Sequence, residues 1–390
     1  MNLALALQHH LEHQSTAQMP FVEFMDWALY HSPAGYYSQG KGLGKRGDFF
    51  TAVHLGVDFG ELLAQQLVDC WHKLNCPTPF TVVEMGAGEG FLAQDILGWI
   101  AKSDPACYRS LCYRIIERSP GLRQQQQEQL QEYLTAADTD PQCSFDRLNW
   151  LTWDELADNS VVGCFFSNEL VDAFPVHQVI AKDGELQEVY VTWKNDRWQE
   201  EYGSLSNDRI IHYFTEQNLD LTQPPYPNPY RTEVNLVAQE WLSTIAKKLK
   251  LGYIITIDYG YDRDRYYHPQ RSQGTLQCYY QHRRHDNPYV NLGEQDITAH
   301  VNFTDLQRWG EAIGLKTLGL TRQALFLMAL GLGDRLQALS LHPHTLSNLL
   351  HRRDALHQLL DPGGLGNFWV LIQGKGLTEA QSQLQGLKQD

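Results

Sequence analysis

Thr81-Val-Val-Glu-Met-Gly-Ala-Gly-Glu-Gly-Phe-Leu-Ala-Gln-Asp-Ile-Leu97 decides how the rest of the chain is read. It opens as a short apolar run rich in β-branched residues, Thr81 to Val83, the pattern of a buried strand. It closes as Phe91 to Leu97, apolar at helical spacing. Between the two stand Glu84 and the glycines Gly86, Gly88 and Gly90. A glycine turn from strand to helix brings bare backbone and the first helical N–H groups close to a ligand. The spacing is G-x-G-x-G with an acid just ahead of it. The dinucleotide fingerprint wants its third glycine one position later, where this chain has Phe91. Glycine-rich turns also join strands to helices where nothing binds, so the turn alone leaves the ligand open.

Outward from the turn, the chain alternates. Tyr113 to Glu117, Val161 to Ser167 and Gly252 to Asp258 read as further strands, with a polar, Gln-rich helix from Gln124 to Leu134. Strands separated by helices predict an α/β fold, a parallel sheet covered on both faces. Ligands of such sheets sit at the carboxyl ends of the strands. Glu84, Glu117, Asn168-Glu169 and Asp258 all fall at those ends.

Upstream, Pro20 to Tyr30 predicts a helix with Phe21, Phe24, Met25, Ala28 and Leu29 on one face. A glycine-rich loop from Gly40 to Thr51 precedes a long helix around Gly60 to Trp71. Downstream, His177 to Val191 alternates in period two around Asp183-Gly184, a hairpin signal. The proline-rich Gln223 to Tyr230 follows, then a helix near Arg231 to Lys250. Tyr261 to His300 is too polar for core and reads as a cover over the rim. The Gln-rich tail from Gln381 reads as frayed. The expected organisation is an N-terminal helical region with its glycine-rich loop (1–75) and a core made of 76–175 and 231–375. To these are added an inserted hairpin and connector (176–230), a rim-covering insertion (261–300) and a tail (376–390).

The 390 residues can bury a large core, and 43% hydrophobic with 20% charged residues describes a water-soluble protein. No run reaches the length of a membrane helix. Met1 to His13 lacks a basic start and carries no Arg, which argues against secretory and mitochondrial leaders and makes the cytoplasm the expected compartment. A net charge of −15 works against broad nucleic-acid binding, and Arg283-Arg284 is too small a cluster to reverse it. Seven cysteines without a C-x-x-C pair read as reduced thiols, and no metal site is expected.

Three candidates for chemistry stand out. Glu117 ends the second strand, where a carboxylate accepts both ribose hydroxyls of a nucleoside; the plain alternative is a solvated acid. Asn168, Glu169 and Asp172 offer an amide and two carboxylates to a guanidinium if a helical turn starts at Glu169. The alternative there is a helix capped by Asn168. His300 reads either as a base or as a core histidine.

Beyond these, the chain resembles the MidA-like S-adenosylmethionine (SAM)-dependent methyltransferases, a family that includes the mitochondrial arginine methyltransferase assisting complex I assembly. The resemblance runs from about Pro20 to Lys375. It rests on Gly47-Asp-Phe-Phe-Thr51 with Phe59-Gly-Glu-Leu62, Val83 to Gly90, and Ser167-Asn-Glu-Leu-Val-Asp-Ala-Phe-Pro175. Asp258-Tyr-Gly260 and Gly293-Glu-Gln-Asp-Ile-Thr-Ala-His-Val301 complete it. The family commonly has Pro-Glu where Val53 and His54 stand here. The resemblance implies a class I methyltransferase (Rossmann-like) doubly wound sheet with an added substrate-side region. It implies SAM as cofactor, with Asp48, Thr51, Glu84, Gly86, Gly88, Gly90, Glu117 and Asn168 around it. Asn168, Glu169, Asp172 and His300 would serve the acceptor, an arginine in a NADH-dehydrogenase-type (complex I) subunit. The rival readings are a non-catalytic SAM-binding assembly factor and a nicotinamide oxidoreductase, the latter opposed by Phe91. Oligomeric state is left open, a homodimer included.

Overall fold

The computed structural model describes residues 3–14, 16–39, 52–136, 146–339 and 346–388. Asp48 and Thr51 lie outside them. The core is a seven-stranded sheet whose strands are β1 (Phe80–Met85), β2 (Leu111–Ile116), β3 (Leu148–Leu151), β4 (Val161–Asn168), β5 (Leu249–Asp258), β6 (Lys316–Arg322) and β7 (Trp369–Lys375). They lie in the order β6-β7-β5-β4-β1-β2-β3. β1 to β5 run parallel, and β7 runs antiparallel between β5 and β6. The class I methyltransferase fold expected from the sequence is the one observed.

Apolar residues on both faces of each strand explain the two layers of helices. Val82, Phe166 and Ile255 point to one face, where the helices Asp58–Lys73 and Phe91–Ser103 pack through Leu62, Leu63, Leu67, Ile96 and Ile100. Val83, Phe165 and Ile254, one residue out of phase, meet Leu242, Ile245 and Leu306 from the helices Leu236–Lys248 and Phe303–Ala312. Each such fully buried side chain contributes about 1.5–3 kcal/mol.

A smaller sheet joins His177–Lys182, Glu185–Lys194, Arg197–Gly203, Gln18–Pro20 and Tyr230–Val234. Its first hairpin turns at Asp183-Gly184, both left-handed at φ 52° and 84°, as a two-residue type I′ turn requires. Against it packs the helix Phe21–Tyr30, burying the five residues that its periodicity singles out.

Two expectations are corrected. Arg231 does not begin a helix: Tyr230–Val234 pairs with His177–Lys182 and buries Thr232 and Glu233, and the helix starts at Leu236. Asn235 caps it by accepting from the Ala238 N–H at 2.9 Å. Residues 231–234 of the expected core segment thus pair into the small sheet. The tail also packs: the Tyr253 hydroxyl donates to the Gln381 carbonyl at 2.8 Å, Gly386 N–H donates to Gln66 at 2.8 Å, and Leu384 is buried. Among the described residues no helix is long and apolar enough to cross a membrane.

Candidate active site

The turn after β1 has Gly86, Gly88 and Gly90 at φ 69°, 55° and 86°. A β-carbon at Gly86 would sit 2.7 Å from Leu170, whereas at Gly88 it would meet nothing within 4 Å. The Gly88 backbone therefore faces open space beside the start of the helix Phe91–Ser103, and Gly90 closes the turn against Gln126. Glu84 is buried beneath the turn and accepts from the Tyr113 hydroxyl at 2.7 Å. Burial pushes its carboxyl up to about 8. It shares a small cavity with Gly86, Gly88, Phe91, Asn168 and Glu169.

Glu117, just past β2, accepts from the Ser119 N–H at 2.8 Å and from the Gln126 side chain at 3.1 Å. Burial raises its carboxyl above the usual range. The same Gln126 amide donates to the Gly88 carbonyl at 2.8 Å, and its oxygen accepts from the Trp150 indole at 2.8 Å. One buried glutamine thus fixes the acid relative to the glycine turn. Sequence reasoning missed it because its helix is so polar. The available signal was its place four residues from both Leu122 and Leu130, on the only buried stripe of that helix.

Glu117, Glu169, Asp172 and Asp296 line one cavity of about 110 Å³ together with Tyr30 and Tyr37. β4 ends at Asn168; Glu169 then turns left-handed at φ 51°, and Val171–Ala173 form a 3-10 turn. A left-handed non-glycine costs about 1–3 kcal/mol and persists where the surroundings enforce it. Here they do. The Glu169 N–H donates to the Ile257 carbonyl at 2.9 Å, and the buried Asp258 carboxylate accepts from Leu170, Val171 and Asp172 N–H groups at 3.2, 3.0 and 3.3 Å. Asp258, at the end of β5, thus caps the turn, and the Asn168 amide goes to Glu169 at 3.2 Å. Burial, then Asp172, pushes Glu169 up to about 8, and burial pushes Asp172 up to about 6. One oxygen each of Glu169, Asp172 and Asn168 is buried without a hydrogen-bond partner. Asp296, unassigned from sequence, accepts from the Tyr37 hydroxyl at 2.8 Å.

Asp258→Asn replaces one of the two accepting oxygens with a donor facing backbone N–H groups. The expected loss is about 1–3 kcal/mol of stability in urea unfolding, the scale for a buried unsatisfied donor. An unchanged midpoint would show that the turn holds itself.

His300 does not join these acids. Its ring stacks on Tyr261 at 4.8 Å and lines a separate small cavity with Tyr213, Asn302 and Asp305. Ala299 donates its N–H to the Asp172 carbonyl at 2.9 Å, and past that anchor the chain turns His300 away. Burial, reinforced by Arg271, lowers it to about 4. Of the two readings open for His300, a base or a core histidine, these surroundings fit the second.

Alongside the acidic cavity, and sharing Gly86, Glu117 and Tyr30 with it, lies a larger apolar slot of about 400 Å³. Met85, Ile116, Trp153, Leu170, Phe174 and Trp241 line it. An open glycine turn, a strand-end acid and an apolar slot in series match a charged tail, a ribose and a planar base. Residues 62–321 match the family described as S-adenosyl-L-methionine-dependent methyltransferases.

The chain belongs to this family.

It is a methyltransferase, and SAM is its cofactor. A Burkholderia thailandensis methyltransferase structure bound to S-adenosyl-homocysteine aligns with 99% of this chain and 94% of its own, at TM-score 0.82 and 28% identity. The mitochondrial protein arginine methyltransferase NDUFAF7 homolog of Drosophila melanogaster is 27% identical, over 97% of this chain and 86% of its own length. Human mitochondrial NDUFAF7, also named a protein arginine methyltransferase, is 24% identical over 95% of this chain and 83% of its own. These relatives overturn the cytoplasmic expectation, since their names place them in mitochondria.

Proposed function

We propose that this methyltransferase acts on an arginine of a protein, held by Glu169 and Asp172, and that the protein is a NADH-dehydrogenase-type subunit. The observation that carries the reading is the set of four carboxylates around one cavity, two of them with buried oxygens lacking partners. Buried acids repel one another unless a cation joins them. A guanidinium is planar, carries five donors and keeps its charge, so it answers two carboxylates at once. The names of the relatives support arginine, and the family resemblance supports the subunit.

Bound SAM supplies a methyl group on a sulfonium, already activated for transfer. The chain supplies position. Glu84, the Gly86–Gly90 turn and Asn168 would surround the amino-acid end, Glu117 the ribose, and the Trp153 slot the base. Glu169 and Asp172 would orient one guanidinium nitrogen toward the methyl and take its proton as the new bond forms, with Asp258 fixing their turn. Holding the reactants in line accounts for much of the rate gain in such transfers.

Glu117→Ala is expected to weaken SAM by about 1.5–3 kcal/mol, the scale for a charged hydrogen-bond partner. Titration calorimetry measures it, and an unchanged dissociation constant would remove Glu117 from the cofactor site.

A guanidinium between Glu169 and Asp172 favours their ionised forms, so binding lowers both values. With Glu169 at about 8 beforehand, acceptor binding at neutral pH releases close to one proton. Affinity for an arginine peptide should then rise with pH, up to about tenfold per unit between 6 and 8, and level off above. Calorimetry in buffers of different ionisation enthalpy reads the proton directly. A flat profile would contradict the assignment.

The subunit itself is tested by mass spectrometry of NADH-dehydrogenase subunits from cells with and without the protein. A methylarginine lost with the protein is the expected result; identical spectra would refute this target.

A further inference from the structure

The cofactor cavities occupy the β1, β2 and β4 half of the sheet's rim, and the other half has a different character. Tyr261 follows β5, and its ring has the Arg265 guanidinium at 4.5 Å and that of Arg271 at 4.3 Å, with His300 stacked at 4.8 Å. Arg322, at the end of β6, lies 3.3 Å over Trp369 at the start of β7, whose indole donates to the Gly260 carbonyl at 3.1 Å. Arg284, on the strand Arg283–His285, is exposed. Arg265, Arg271 and Arg284 all act on His300, and Arg265 acts on Arg322, so their charges crowd one region.

Elsewhere Arg118, Arg209, Arg231, Arg335 and Arg352 each hold a carboxylate. Among the described residues Arg265, Arg271, Arg284 and Arg322 hold none. Asp262 acts on Arg322 without an ion pair to it; on a chain of net charge −15, four neighbouring arginines with no ion pair are out of character. It is also close to the acidic cavity. The Asp172 charge acts on the Tyr259 hydroxyl, and the Tyr259 ring lies 5.1 Å from that of His300, which stacks on Tyr261.

We propose that this basic, aromatic half of the rim docks an acidic stretch of the protein substrate beside the arginine that enters the carboxylate cavity. The inference rests on the arginine reading and adds the substrate's charge pattern: an acceptor cation flanked by acids. The enzyme presents the complement, acids at the centre and arginines at the side. Such an arrangement sets register and steers encounter. Nucleic acid fits less well, because phosphates following the same rim would meet four carboxylates.

Fluorescence anisotropy with two labelled arginine peptides tests it, one flanked by Asp and Glu, the other by Lys. The acidic peptide should bind the SAM-loaded enzyme at least about tenfold more tightly, with the gap narrowing as salt rises. Arg265→Glu with Arg284→Glu, both exposed positions, should erase the preference and raise KM for the acidic peptide. SAM affinity, unaltered in that variant, reports that the fold is intact; Arg265→Ala with Arg284→Ala, expected to lose most of the preference, serves if the reversal does not fold. Equal binding of the two peptides, a preference that survives the charge reversal, or displacement by single-stranded RNA at comparable affinity would each overturn the proposal. Failure of the arginine reading shows separately: an acidic peptide that binds as expected but acquires no methylarginine refutes the reaction and leaves the docking surface standing.

Discussion

Methyl transfer to an arginine peptide is expected to fall about 100-fold or more in Glu169→Gln, with SAM affinity and fold retained. The size follows from removing one partner of a buried charge pair, which costs about 2–5 kcal/mol. Shape is preserved, so the left-handed turn at φ 51° and its Ile257 anchor stay in place. Stability should hold or improve. The folded carboxyl sits at about 8, above its ordinary 4.5, so its favourable contribution is complete below 4.5 and is lost as pH rises through 8. Glutamine has no such dependence, and the variant should gain melting temperature relative to the parent as pH rises across that window. Transfer that survives intact, or a protein that melts, would return Glu169 to a structural role.

Gly88→Val should reduce SAM binding by more than about 100-fold. The residue holds φ 55°, and its missing β-carbon points into open space beside the glycine turn. Valine adds bulk where the cofactor must approach and also strains the backbone, at about 1–3 kcal/mol. The strain has a control inside the protein. Gly184 in the hairpin turn has φ 84° and equally open surroundings. Gly184→Val should lose comparable stability and keep SAM. Equal SAM affinity in both variants would show that the glycine turn does not face the cofactor.

The parts legible in the sequence were those set by local pattern. The glycine turn, the apolar strands β4 and β5, the Phe21–Tyr30 helix and the Asp183-Gly184 hairpin all announce themselves by periodicity or obligatory turn chemistry. Strand ends then gave Glu84, Glu117 and Glu169 their common rim. What stayed hidden depends on contacts distant in sequence. Asp258 stands at a strand end like the others, yet it serves by capping a turn 86 to 88 residues upstream. Asp296 reaches the cavity from a strand in a segment that reads only as polar cover. Gln126 hides in a run of glutamines, and His300 shares the Asp296 motif but faces the other way. Arg231 was misassigned because five residues of strand ahead of a helix carry too short a period to separate from it.

The central claim is that the carboxylate cavity accepts a guanidinium. The most direct measurement incubates the enzyme and SAM with three peptides alike except for a central arginine, lysine or citrulline, and locates any added methyl by tandem mass spectrometry. The account predicts methyl on arginine alone, abolished in Glu169→Gln. Methylation of citrulline, which has the shape without the charge, or equal methylation of lysine would contradict it.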